Sequence, residues 1–252
     1  MSNPSKPVRP AGAPSALEVL VRDKRFRGAD GVLVHAIDEI AFDVPAGSFT
    51  TLIGPSGCGK TTTLRIILGL DDDFAGHIRL PEKDGRKAVV FQEPRLLPWR
   101  TVGENVQLAL PETLENEKLD DLFAIVGLSE MRNRYPSELS LGLARRVALA
   151  RAFAIKPSLL LLDEPFVSLD EMTATRLRQL LVTVWSARRT TALMVTHNLR
   201  EAVQLSDRIV FLTERPARIR GVEVIDRDRS ARDADWRERT VRDLDRRYSG
   251  VL

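Results

Sequence analysis

Ala16–Arg22 alternates apolar and polar residues with the period of a half-buried strand. Val32–Val44 reads as a second strand, stopped by Pro45-Ala46-Gly47. Ser48–Ile53 is a β-rich run that ends at a glycine-rich loop, and Lys60–Leu70 beyond it has helical spacing, with Leu64, Ile67 and Leu68 on one side. Ala88–Phe91 predicts a short strand, whereas Val102–Leu110, Leu119–Leu128 and Leu143–Ala154 predict helices; the last carries Arg145, Arg146 and Arg151 on its polar side. Leu159–Leu162 is continuously apolar, the pattern of a strand covered on both faces. A helix over Glu171–Ala187, a strand over Ala192–Val195, a helix over Leu199–Leu205 and a strand over Arg208–Leu212 follow. Such strand–helix alternation predicts an α/β fold on a parallel sheet, and no repeat at a fixed period interrupts it.

The two ends differ from this pattern. Residues 1–15 are rich in Pro, Ser, Gly and Ala and read as a disordered arm. Residues 226–252 form a charged C-terminal tail in which Arg and Asp interleave from Asp226 to Arg247, with Trp236, Val241 and Leu244 as a thin apolar stripe. A solvated terminal helix and a regulatory or partner-docking tail both fit that pattern.

Composition narrows the class. With 252 residues, 43% hydrophobic and 29% charged, the chain is expected to be soluble and globular, with enough length for a real core. No run approaches the roughly 18 apolar residues that span a bilayer, and the N-terminus lacks the apolar centre of a secretory signal. The single cysteine, Cys58, excludes an intramolecular disulfide and fits a reducing cytosol. The 38 basic and 35 acidic side chains leave a net charge of only +3, and aromatics are 6%, so nucleic acid is not an expected partner.

The chemistry concentrates at strand ends. Gly54-Pro55-Ser56-Gly57-Cys58-Gly59-Lys60-Thr61 matches G-x-x-x-x-G-K-[ST] between a predicted strand and a predicted helix. The glycines allow successive N–H groups to turn inward around phosphate oxygens, and the helix N-terminus adds positive partial charge. Lys60 would reach the β- and γ-phosphates and the Thr61 hydroxyl a Mg²⁺ ion, so a nucleotide and Mg²⁺ are the expected cofactors. Residues Gly54 to Thr61, with Thr62, form the expected nucleotide-binding set. Cys58 reads as a small filler residue, though a helix N-terminus also favours an alkylatable thiol. Asp163 and Glu164 close the apolar strand ahead of Pro165, where Asp163 would reach the metal and Glu164 would act as general base on the attacking water. His197 and Gln92 each follow a strand. His197 reads as a capping or surface residue or as part of the same sheet edge; Gln92 reads as an ordinary strand end or as a ligand of Mg²⁺ or the attacking water.

In this order the pieces resemble the ATP-binding subunit of ABC transporters, from about residue 17 to about residue 220. The resemblance implies a P-loop NTPase (ABC ATPase) fold over residues 16–225, with a parallel core sheet, an N-terminal antiparallel β subdomain and an α-helical subdomain inserted at residues 93–157. It implies that two subunits, here an expected homodimer, sandwich two ATP molecules head to tail. Gln92 is similar to the family's Q-loop glutamine, Asp163 and Glu164 to its Walker B pair, Ser168-Leu169-Asp170 to its D-loop, and His197 to the histidine that contacts the γ-phosphate. Phe26 is a candidate to stack on adenine, and alternatively an ordinary strand aromatic. The family's signature loop, Leu-Ser-Gly-Gly-Gln, is Leu139-Ser140-Leu141-Gly142-Leu143 here. Ser140 and Gly142 are kept as phosphate-facing candidates, while Leu141 and Leu143 replace a glycine and a polar residue.

Phe91-Gln-Glu-Pro-Arg-Leu-Leu-Pro-Trp-Arg100 and Glu214-Arg-Pro-Ala-Arg-Ile219 resemble the nitrate, sulfonate and taurine importer group. That resemblance implies an ATPase on the cytoplasmic face of the membrane, driving uptake of a small anion through a separate permease loaded by a periplasmic solute-binding protein. Leu96, Leu97, Pro98 and Trp99 are then an exposed apolar patch for a permease helix, or alternatively pack under their own subdomain. Two rival readings remain: a nucleotide-gated subunit with little hydrolysis because of the altered signature, and a non-transport ABC ATPase.

Overall fold

The computed structural model describes residues 15–28, 31–80, 85–114, 118–188 and 190–249. The expected N-terminal arm lies outside the described residues except for Ser15, which opens the first strand. The chain forms two compact units, residues 1–83 with 191–252 and residues 84–190.

In the first unit, β1 (Ser15–Arg27) and β2 (Leu33–Pro45) pair antiparallel, with Phe26 opposite Val34. β4 (Ala75–Arg79) adds to the other edge of β1. The register slips between Lys24 and Arg25, which face Ile37 and His35, so Ala36 is an extra residue on β2. Such a bulge re-aims the backbone. Here it sends the Ala36 carbonyl to the Ala217 N–H at 2.9 Å. β4 escapes the hydrophobic pattern because nearly all of it is exposed.

A second sheet in this unit has β3 (Phe49–Ile53) at its centre, parallel to β7 (Thr191–Thr196) and β8 (Arg208–Leu212). β9 (Ile219–Val224) runs antiparallel beside β8. Every residue of β3, β7 and β8 is buried, which is why these strands show no alternation of apolar and polar faces. α1 (Lys60–Leu68) follows β3 and α6 (Leu199–Leu205) follows β7.

The charged tail is part of this unit. α7 (Ala234–Arg247) turns Leu244 into a core with Leu199, Val203, Ile209 and Phe211, and Trp236, Val241 and Tyr248 pack against it. The thin stripe is therefore a packing face, with the Arg and Asp residues on the outside. Just ahead of it, the buried Arg232 donates to the carbonyls of Val203 (3.0 Å), Gln204 (3.2 Å) and Ser206 (2.8 Å), satisfying the free end of α6. Burial pushes the Arg232 pKa down to about 10.

The second unit contains the parallel pair β5 (Lys87–Val90) and β6 (Leu159–Asp163) and four helices. These are α2 (Val102–Gln107), α3 (Asp120–Ile125), α4 (Leu141–Ala154) and α5 (Glu171–Arg188). α2 starts at a capping box in which Thr101 and Glu104 bond reciprocally. The unit extends beyond the 93–157 segment at both ends, because the strands flanking that segment pack with its helices. Helices α2 and α3 are shorter than their apolar patterns; Gly127, at φ 66°, follows α3 and turns the chain.

Candidate nucleotide site

The phosphate loop leaves β3 and enters α1. Ile53 pairs with Thr196 of β7, so Gly54 and His197 leave neighbouring parallel strands at the same level. Strands of a sheet lie about 4.8 Å apart, and ligands of open α/β sheets gather beyond such carboxyl ends. A Cβ on Gly54 would stand 3.1 Å from the Leu212 carbonyl, and Gly59 has φ 121°, so neither position suits a side chain. Lys60 is buried, and its ammonium donates to the carbonyls of Gly54 (2.8 Å) and Pro55 (2.9 Å). A full positive charge is thereby held over the loop. The first turn of α1 carries no acidic residue, so the helix itself sets no carboxylate against its positive end. Ser56 is exposed; Thr61 is exposed and Thr62 half-buried at the start of α1. The Cys58 thiol is buried, and that burial pushes its pKa up against the opposing pull of the Lys60 charge.

Phe26 lies on β1 and is 39% exposed. Its partner Val34 is two residues from Ala36, whose carbonyl would stand 3.3 Å from a Cβ on Gly59. The β1–β2 hairpin therefore carries Phe26 to within a few residues of the phosphate loop. His197 is exposed, and the turn that carries it is fixed by its neighbours. Thr196 Oγ1 donates to the buried Glu201 at 2.8 Å, and Asn198 Oδ1 caps α6 by accepting the Arg200 N–H at 3.0 Å. The spacing Asn198 to Glu201 was the sequence signal for that network.

In the second unit, Val90 pairs with Leu162. Two steps on, Gln92 and Glu164 leave adjacent parallel strands at the same level. Gln92 is exposed, Asp163 is buried at the end of β6, and Glu164 is half-buried with φ 46°. A non-glycine residue in the left-handed region is held there by its surroundings. Arg145 of α4 supplies part of that hold: its guanidinium donates to the carbonyls of Pro165 and Val167, the latter at 2.5 Å. The helix behind the signature loop thus grips the turn that follows Glu164. Sequence reading placed Arg145 only on a polar face, and nothing in the spacing marked this clasp.

Ser140 caps α4 by accepting the Leu143 N–H at 3.3 Å. A Cβ on Gly142 would stand 2.6 Å from Thr173, so this glycine also lets α4 and α5 approach. Leu141 is 42% exposed beside them. Asp170 accepts the Thr173 N–H at 2.9 Å and starts α5; these contacts with Thr173 lower its pKa. After Gln92, the segment is pinned by Asn105, which accepts from the Leu97 N–H (2.8 Å) and donates to the carbonyls of Leu97 (3.1 Å) and Arg100 (3.0 Å). Pro98 and Trp99 project from it, Trp99 being 69% exposed; Leu96 and Leu97 are half-buried, so the apolar patch is smaller than expected.

Thr61 in the first unit, and Gln92 and Asp163 in the second, each carry oxygen donors of the kind Mg²⁺ takes. Among the described residues no group of three or more His, Cys, Asp or Glu is placed to hold a metal ion.

Comparison with known proteins gives the same answer. The ABC transporter family matches residues 37–167. An aliphatic sulfonates import ATP-binding protein, SsuB, of Bacillus cereus is 42% identical over 196 residues, covering 75% of this chain and 78% of that protein. SsuB 1 of Streptomyces avermitilis is 41% identical over 234 residues, 93% of this chain and 87% of that protein. Among solved structures, the dimeric post-hydrolysis state of the ATP-binding cassette MJ0796, bound to ADP and Pi, superimposes with a TM-score of 0.69 at 25% identity, covering 84% of this chain and all (100%) of that one. The parallel core strands, the antiparallel N-terminal sheet, the phosphate loop and these relatives agree: the chain belongs to the ABC transporter family, as an ATP-binding subunit that hydrolyses ATP.

Proposed function

We propose that this chain powers the uptake of aliphatic sulfonates, or closely similar small organic anions, through a separate membrane permease. What carries the cargo assignment is the 41% identity with the Streptomyces avermitilis sulfonate import protein, which extends over 93% of this chain. The exposed Trp99 and Pro98, on the segment pinned by Asn105, supply the permease contact, from the helical segment 93–157 of the ATPase domain 16–225. The subunit thereby sits at the cytoplasmic face of the membrane. Among the described residues, no helix is long and apolar enough to cross it. A periplasmic solute-binding protein loads the permease. Deleting the gene from its host should abolish growth on an alkanesulfonate as sole sulfur source while growth on sulfate persists; unimpaired growth on the sulfonate would overturn the assignment.

In the proposed cycle two identical subunits close on ATP. Gly54 to Thr62 hold the phosphates, Lys60 neutralises the β- and γ-phosphates, and Phe26 stacks on adenine. Thr61, Asp163 and Gln92 would hold Mg²⁺, which would offset phosphate charge. Glu164 takes a proton from the attacking water as its oxygen bonds to the γ-phosphorus, and the bond to the β-phosphate oxygen breaks, leaving ADP and phosphate. His197 and Gln92 contact the γ-phosphate and the water. Ser140 and Gly142 face the partner subunit's nucleotide.

Leu141 is the departure with a kinetic consequence. In the proposed dimer this isobutyl group, 42% exposed at the start of α4, replaces the family's glycine and would hinder close backbone approach to a phosphate. Restoring the family pattern with Leu141→Gly and Leu143→Gln should raise steady-state ATPase activity by about three- to tenfold, the scale of one regained hydrogen bond of ordinary strength. Equal turnover in the double variant and the parent protein would show that the altered loop is tolerated.

A further inference from the structure

The stretch Glu214–Ile219, set apart by its sequence, has no part in the cycle above. Residues 213–218 close on themselves: Thr213 donates its N–H to the Arg218 carbonyl at 2.9 Å and accepts the Arg218 N–H on Oγ1 at 3.0 Å. The closed loop is fastened to β2. Ala217, fully buried, donates to the Ala36 carbonyl at 2.9 Å and accepts the Asp38 N–H at 2.9 Å, and Arg218 Nε bonds Asp38 at 2.9 Å. Between these anchors the exposed Arg215 reaches across to the phosphate loop. Its Nε (3.1 Å) and Nη2 (2.7 Å) both donate to the Gly57 carbonyl.

The geometry of one peptide bond makes that contact matter. The Gly57 carbonyl and the Cys58 N–H belong to the same planar trans peptide and point in opposite directions. Gly57 has φ 75°, so its torsion is one that other residues rarely hold. With Arg215 on the carbonyl from outside, the Cys58 N–H faces the inside of the loop, where it lies 3.3 Å from the Pro55 carbonyl. That same carbonyl accepts from Lys60 Nζ. The N–H and the ammonium thus converge on one acceptor position. The Arg215 charge is also felt at the thiol: burial raises the Cys58 pKa, and Lys60 and then Arg215 pull it back.

We propose that Arg215 is a positioning residue for ATP binding, holding the Gly57–Cys58 peptide so that the Cys58 N–H is aimed at phosphate before ATP arrives. The proposal rests on the phosphate-loop reading given above. Arg215 does not touch the reacting atoms; it preorganises a donor and couples the β2 hairpin to the loop.

The only cysteine of the chain lies at the affected peptide and serves as a reporter. Arg215→Ala, Arg215→Lys and Lys60→Ala would be compared with the parent for ATP affinity and for the rate of Cys58 alkylation by N-ethylmaleimide. Arg215→Ala should weaken ATP binding about three- to tenfold, the worth of one hydrogen-bonded contact. It should also speed alkylation, because the loop opens more often. Arg215→Lys, keeping the charge and one donor to the same carbonyl, should recover most of both effects, and saturating ATP should protect the thiol in every variant that binds it. An Arg215→Ala protein that binds ATP within about twofold of the parent overturns the assignment. Lys60→Ala separates the two levels: if it leaves ATP affinity unchanged, the phosphate-loop reading itself fails, whereas a large loss there beside an unchanged Arg215→Ala sinks the role of Arg215 alone.

Discussion

Replacing Glu164 with Gln is expected to cut steady-state ATP turnover by about 100- to 1,000-fold, the usual share of a positioned general base, and to leave ATP binding intact. The substitution keeps the shape of the side chain and removes its capacity to take a proton. Glu164 stands at the end of β6 with φ 46°, its carbonyl accepting the Val167 N–H at 3.3 Å while Arg145 grips the carbonyls of Pro165 and Val167. These contacts are made by backbone carbonyls, which the amide variant keeps. With hydrolysis blocked, ATP and Mg²⁺ should accumulate a closed dimer, visible as an earlier peak in gel filtration that the parent protein shows only weakly. Turnover in the variant above about a tenth of the parent value would remove Glu164 from the role of base.

The strands that flank the site were legible because burial on both faces leaves few polar positions in them. Leu159–Leu162 is the clearest: four leucines in sequence correspond to a strand whose residues are all buried. The phosphate loop was legible for a different reason, since its glycines answer to local torsion and close approach that few sequences satisfy by chance. What sequence could not give was the long-range hydrogen bonding of arginines. Arg145, Arg215 and Arg232 all donate to backbone carbonyls, and a carbonyl carries no residue identity. An arginine on a helix pattern reads as solvated whether it meets water or a turn 20 residues away. The tail's stripe of Trp236, Val241 and Leu244 was visible in the sequence, but the charge density around it carried no sign of the core on which it packs. The exposed edge strand β4 and the half-buried edge strand β9 were invisible, because their place is set by a neighbour's free hydrogen bonds rather than by an apolar face.

Asp43→Ala is expected to destabilise the first unit by about 3–5 kcal/mol, the cost of stripping the counter-charge from a buried ion. Asp43 lies on β2 and Arg208 on β8, and the guanidinium meets the carboxylate at 3.1 Å and the Asp43 carbonyl at 3.3 Å. Both side chains are almost wholly buried, 7% and 4% exposed. The pair therefore ties the antiparallel sheet to the sheet that carries the phosphate loop. Alanine removes the charge that justifies a buried guanidinium, and at roughly 2–4 °C per kcal/mol the thermal midpoint should fall by about 6–20 °C. The paired replacement Asp43→Leu with Arg208→Met should recover most of that loss, because two apolar side chains of similar length leave no ion to desolvate. ATP offers an independent check on where the damage lies. A ligand at about 100 times its dissociation constant stabilises the state it binds by about 2.7 kcal/mol, so saturating ATP should restore much of the Asp43→Ala midpoint if the loop that binds it folds with this pair. A midpoint within about 2 °C of the parent in Asp43→Ala would show that the ion pair contributes little to holding the two sheets together.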